Sequence, residues 1–178
     1  MACIEDKNKA LVDYMNKEFS LKLEVIENFP IFSDEVHKHI KHKSKKDLPA
    51  IQFSNFDKFS NLSELVEVNG ILGFGEELSE IYYYKSKLED IKVKKNNGNL
   101  DIECFSFKFN VNELKKHKPN SIINWHTHPL LTPYTKEDLL DLYFYNKIYS
   151  SHFKKEVDTF SVLYLPGNDS FHWLKVGS

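Results

Sequence analysis

At 178 residues, with 41% hydrophobic and 28% charged residues, the chain is long enough for one well-filled core and too short for two comfortable domains. A formal net charge of -2 gives no electrostatic case for nucleic acid, and all 24 basic residues are lysine, which removes bidentate guanidinium recognition of phosphate or carboxylate. Cys3 and Cys104 have no C-x-x-C partner and no apolar run approaches membrane-spanning length, so neither a disulfide framework, a thiolate zinc site nor membrane association is expected, and a reducing, cytoplasmic setting fits.

Leu11, Met15 and Phe19, with Val12 beside them, predict an amphipathic helix over 5–19. Asn28 to Phe32, containing Pro30, breaks the chain, and Ser33-Asp34-Glu35 starts a second helix reaching about Lys43. This helix carries His37, His39 and His42. On a helix His37 and His39 face apart, and with five lysines between Lys38 and Lys46 the segment reads as a solvated basic face suited to weak contact with an acidic partner surface, not as a metal site. Ile51-Gln52-Phe53 is expected as a short strand, and Asn61 as the cap of a helix from about Leu62 to Val66 that delivers Glu67 to a strand over Gly70 to Phe74.

Further strands are expected over Glu80 to Lys87, Ile91 to Lys95 and Leu100 to Phe109, the last two joined by the hairpin signal Asn96-Asn97-Gly98-Asn99. Phe105, Phe107 and Phe109 alternate with polar residues, which predicts one buried face. A short helix over Val111 to His117 precedes a buried strand beginning at Ser121-Ile122-Ile123. Pro129 and Pro133 end that strand, and Thr135 caps a helix reaching about Tyr149, with Leu140, Phe144, Ile148 and Tyr143 as its expected buried stripe. Thr159 to Leu165 and Phe171 to Val176 close the chain as a hairpin through Pro166-Gly167-Asn168-Asp169.

The chemistry concentrates in Asn124 to Asp138. Side chains two apart on a strand share a face, so His126 and His128 converge, and Asp138 lies in the first turn of the following helix. Two imidazoles and one carboxylate make a three-ligand site that leaves a borderline ion such as Zn²⁺ a fourth position for water. Alone, an H-x-H pair is most often two half-exposed histidines, and Thr-x-x-Asp is a common helix start. The added weight comes from Glu67, three residues ahead of Gly70-Ile71-Leu72-Gly73, an apolar strand start where glycines allow close backbone approach.

Together these elements resemble the JAMM metalloprotease family, also called MPN-plus or JAB domains, in which a Glu ahead of a Gly-rich apolar strand is followed by H-[ST]-H-P, a turn and S-x-x-D. The resemblance implies His126, His128 and Asp138 as zinc ligands, Glu67 as general acid/base and Thr135 as the hydroxyl beside the oxyanion. Two departures stand out. Six residues, Pro129 to Tyr134, separate the second histidine from Thr135 where the family has seven, and Thr replaces Ser. A seven-residue turn would place Lys136 and Leu139 in the key positions, and neither coordinates zinc.

The implied fold is α/β, a JAMM-type mixed sheet flanked by helices over 58–178, with 1–57 an N-terminal helical extension packed on the core. The implied activity is zinc-dependent hydrolysis of an amide or isopeptide bond, the partner being a protein substrate such as a ubiquitin-like conjugate. The competing expectations are a non-catalytic MPN-like scaffold, whose members usually lack the ligands, and a structural component of a larger assembly such as a virion.

Overall fold

A computed structural model describes residues 3–54, 65–87, 114 and 116–177, together with the backbone of 92–96 and 99–103. In chain order its elements are α1 (Ile4–Phe19), β1 (Leu23–Ile26), α2 (Ser33–Asp47), a 3-10 turn (Ala50–Phe53), β2 (Val66–Phe74), β3 (Leu78–Lys87), β4 (Lys92–Asn96), β5 (Asn99–Glu103), β6 (Ser121–Thr127), α3 (Lys136–Phe153), β7 (Asp158–Leu165) and β8 (Ser170–Val176). The protein is mixed α/β. Six strands form one mixed sheet in the order β1-β8-β7-β6-β2-β3, and β4 pairs with β5 as a separate ladder.

Every pairing in the large sheet is antiparallel except β6 with β7. A parallel pair cannot be joined by a tight turn, and α3 supplies the crossover. The two faces of β2 and β6 then divide cleanly. Val66, Val68, Leu72, Ile123 and Trp125 pack with Phe32, Val36 and Ile40 at the start of and along α2. Ile71 and Ile122 face the other way, toward Tyr149 of α3. Farther along that second side, Leu163, Leu165 and Leu174 meet Val12 and Met15 of α1 and Leu139 and Leu142 of α3. The sheet is a middle layer with α2 on one side and α1 and α3 on the other.

Several expectations hold. Both N-terminal helices, the hairpin pairing Asn96 with Asn99, the Thr135 cap and the closing β7–β8 hairpin are present. Gly70 also shows the anticipated close approach, since a Cβ there would lie 2.2 Å from Trp125 Nε1.

Other expectations are corrected. Ile51 to Phe53 form a 3-10 turn, not a strand, because Gln52 is buried and clamps Val66: its Nε2 donates to the Val66 carbonyl at 2.9 Å and its Oε1 accepts the Val66 N–H at 2.7 Å. That clamp belongs to the start of β2. Val66 and Glu67 are therefore already strand residues, and Glu67 is not at a helix end; 61–64 lie outside the described residues. On α3 the buried residues are Leu139, Leu142 and Tyr149, while Leu140 is 40% and Phe144 64% exposed. Leu23 to Ile26 add a strand to the N-terminal segment, paired with β8. His37 and His39 are half-buried against the sheet, and of the three α2 histidines only His42 is exposed. Leu114 and Lys116 occupy a 3-10 turn, whereas 111–113 and the phenylalanine alternation at 105, 107 and 109 lie outside the described residues.

Candidate metal centre

His126 is the penultimate residue of β6, and His128 follows the strand while its N–H still donates to the Tyr164 carbonyl of β7 at 3.3 Å. The ladder thus carries the strand geometry one residue past its end and keeps both imidazoles on one face. The proline-flanked turn then delivers α3. Thr135 Oγ1 accepts the Asp138 N–H at 3.1 Å while Asp138 Oδ2 accepts the Thr135 N–H at 2.9 Å, a reciprocal capping box that fixes the Asp138 side chain. Tyr134 anchors the turn from beneath: its N–H donates to Oδ1 of buried Asn8 at 2.9 Å, and its hydroxyl donates to the His172 carbonyl at 2.8 Å.

These constraints bring His126 Nε2 and His128 Nε2 each to 3.4 Å from the same oxygen, Asp138 Oδ2. One ligand atom from each of the three residues lies within 4.8 Å of the others, so the group could hold a metal ion. The hydrogen bonding says which atoms are free. His128 Nδ1 lies 3.3 Å from the Thr132 carbonyl oxygen and 3.0 Å from Thr132 Oγ1. A carbonyl only accepts, so Nδ1 carries the hydrogen and Nε2 is left for a proton or a cation. Facing a carboxylate oxygen at 3.4 Å, that lone pair requires one or the other between them. His126 Nε2 is buried and has no aligned hydrogen-bond partner. An orphaned imidazole nitrogen beside a carboxylate that is only 13% exposed fits a cation in this position, and two nitrogens with one oxygen suit a borderline transition-metal ion.

The electrostatics run the same way. Burial would raise the Asp138 carboxyl, but the two histidines outweigh it and hold the group well below the usual carboxylate range. Burial would lower the His128 imidazole, and Asp138 and Glu67 outweigh it, so its pKa is raised. Both shifts describe a pocket in which the carboxylate is charged and attracts positive charge.

Glu67 lies on β2 at 9% exposure and outside the ligand group. Burial raises its carboxyl pKa, with His128 and His126 partly opposing, and on β2 Glu67 shares a strand face with Asn69, the cross-strand partner of His126. Its strand is locked to β6 where the Val68 N–H donates to Thr127 Oγ1 at 3.1 Å. A carboxyl with a raised pKa on the strand face of a group able to hold a metal ion has the chemistry of a proton carrier. Thr135 is exposed, and its Oγ1 is occupied as an acceptor in the cap, which leaves the hydroxyl hydrogen free to donate.

The structure therefore unites His126, His128 and Asp138, sets Glu67 facing them and Thr135 at the rim. His37 and His39 do not join. Three contributors went unread in the sequence. Thr132 orients His128, and its position four residues on within the turn is the signal that could have found it. Asn8 supports the turn from 126 residues away, a separation no local pattern encodes. Asp141, one helical turn after Asp138, has its carboxyl pushed up to about 6 by desolvation and by the Asp138 charge, and adds to the negative potential of the site. Compared with known proteins, the chain matches no family model, and neither a curated protein nor a solved structure resembles it at a significant level.

Proposed function

We propose that the protein is a JAMM-type zinc hydrolase that cuts an amide or isopeptide bond, with His126, His128 and Asp138 as the metal ligands. The observation that carries this reading is the pairing of the three convergent ligand atoms with a buried, protonatable Glu67 that is not one of them. A mixed sheet with helices on both faces and the ligands at the junction of β6 and α3 agree with the fold the motif implies.

His126, His128 and Asp138 would hold a zinc ion, which would supply Lewis acidity and a water with its pKa lowered to about 7. Glu67 accepts the proton of the attacking water and passes it to the leaving amine, so one carboxyl serves first as base and then as acid. Thr135 donates its hydroxyl to the developing oxyanion while its Oγ1 remains the helix cap, which couples substrate stabilisation to the position of Asp138. Thr132 holds the His128 tautomer. The substrate class is a protein amide, with a ubiquitin-like conjugate the leading candidate.

The test is cleavage of a panel of ubiquitin-like conjugates and peptides by wild-type protein and by Glu67→Gln, with and without a zinc chelator. Wild-type cleavage abolished by the chelator, and reduced about 10² to 10⁴-fold in the zinc-loaded variant, is the expected result. Normal hydrolysis by zinc-loaded Glu67→Gln removes Glu67 from the mechanism.

A further inference from the structure

The strand register places one more polar side chain on the metal face. Asn69 follows Glu67 by two residues on β2 and so shares its face, and its cross-strand partner on β6 is His126. Residues paired in this way on one face have Cβ atoms about 4.5–5.5 Å apart. On its other flank Asn69 is paired with Tyr84 of β3, as Glu67 is with Ser86. The packing fixes the assignment of faces. Val68 is in the core beneath α2, and a Cβ on Gly70 would meet Trp125 in that same layer, whereas Ile71 packs under α3.

Asn69 is half-buried, and its side-chain amide makes no hydrogen bond among the described residues, yet neither of its polar atoms is shut off from solvent. A free carboxamide offers two N–H donors and a carbonyl acceptor, the complement of a peptide group, and here it opens onto the side of the sheet where the candidate ligands converge. Ionised carboxylates such as Asp138 only accept. Asn69 is a neutral donor on the face that carries Glu67 and His126.

Resting on the zinc-hydrolase reading above, we propose that Asn69 is a substrate-orienting residue whose side-chain amide hydrogen-bonds the amide group presented to the metal. Its contribution is to binding and alignment, not to holding the ion.

The experiment uses the full chain loaded with zinc and acetohydroxamate as an amide-like probe, comparing wild type with Asn69→Leu, which is near-isosteric and apolar, and Asn69→Ala. Calorimetry gives the zinc and acetohydroxamate affinities separately. Zinc affinity within about twofold of wild type, with acetohydroxamate bound about five- to tenfold more weakly in both variants, is the expected result for loss of one hydrogen bond. Acetohydroxamate affinity unchanged in the variants overturns the assignment of Asn69 and leaves the zinc centre standing. A parallel fall in zinc affinity overturns it as well, by making Asn69 a support of the ligands. A wild-type protein that binds zinc but not acetohydroxamate overturns this inference alone, and one that binds no zinc overturns this inference and the hydrolase reading together.

Discussion

At the level of single residues, several atoms around the site and core have no room or no second partner. Gly70 is the clearest case: an added methyl would fall 2.2 Å from Nε1 and 2.5 Å from Cε2 of Trp125, an indole that is 2% exposed and cannot swing away. Gly70→Ala should therefore destabilise the protein by about 1–3 kcal/mol, the ordinary range for overpacking a filled core, read as a lowered Tm. An unchanged Tm would mean that Trp125 has free space the packing does not show. His37 gives a second residue-level prediction. Its Nε2 accepts the Trp173 indole N–H at 2.8 Å, which only the neutral ring can do, and burial lowers its pKa, with Asp34 opposing. The native state then binds fewer protons than the unfolded chain just below the ordinary histidine pKa of about 6.5. The resulting stability is present above that pH and lost as pH falls through the lowered folded value. His37→Gln keeps an acceptor without the titration, so its Tm should fall less than wild type between about pH 7 and pH 5. Equal falls would refute the assignment.

At the scale of elements, two buried amides hold the two halves of the site. Asn8 of α1 is 2% exposed and fixes the turn between His128 and Asp138 through Tyr134 N–H. Gln52 clamps both backbone groups of Val66 and so sets where β2 begins, one residue before Glu67. Asn8→Ala and Gln52→Ala should each cost about 1–3 kcal/mol, because each leaves buried backbone groups unpaired. Their functional consequences should differ. Asn8→Ala should weaken zinc binding, since it loosens the segment joining two ligands, whereas Gln52→Ala should leave zinc affinity in place and reduce turnover through Glu67. Identical effects on zinc would contradict this division. The elements themselves were legible where the pattern was long or punctuated: α1 by its i, i+4, i+8 apolar series, α3 by the Thr135 cap, and β7–β8 by Pro166-Gly167-Asn168-Asp169. They were not legible where tertiary packing overrode the local pattern. Leu140, Phe144 and Ile148 form as regular a series as any in the chain, yet α3 is rotated so that Leu139, Leu142 and Tyr149 go inward between α1 and the sheet. Four residues at β1 are too few for an alternation to register, and Gln52 turns an apolar-polar-apolar triplet that looks like a strand into a clamp through a partner fourteen residues away.

At the scale of the whole molecule, a sheet layered between α2 and the α1–α3 pair brings a strand end, a helix start and a neighbouring strand to one place. The ligand group was readable because its three members fall within thirteen consecutive residues whose local geometry, strand then capped helix, is set by prolines and by Thr135. Glu67 was legible only through the motif it shares with Gly70-Ile71-Leu72-Gly73, and it takes the antiparallel pairing of β2 with β6 to turn its separation of 59 residues from His126 into proximity. Among the described residues no helix is long and apolar enough to cross a membrane. Whether His126, His128 and Asp138 converge on a zinc ion is decided by elemental analysis of the purified, dialysed protein beside a His126→Ala/His128→Ala double variant. About one zinc per wild-type chain is expected, and none in the double variant, which retains only a single carboxylate ligand. Stoichiometric zinc in the double variant, or a wild-type protein that stays metal-free when supplied with zinc, would contradict the zinc assignment.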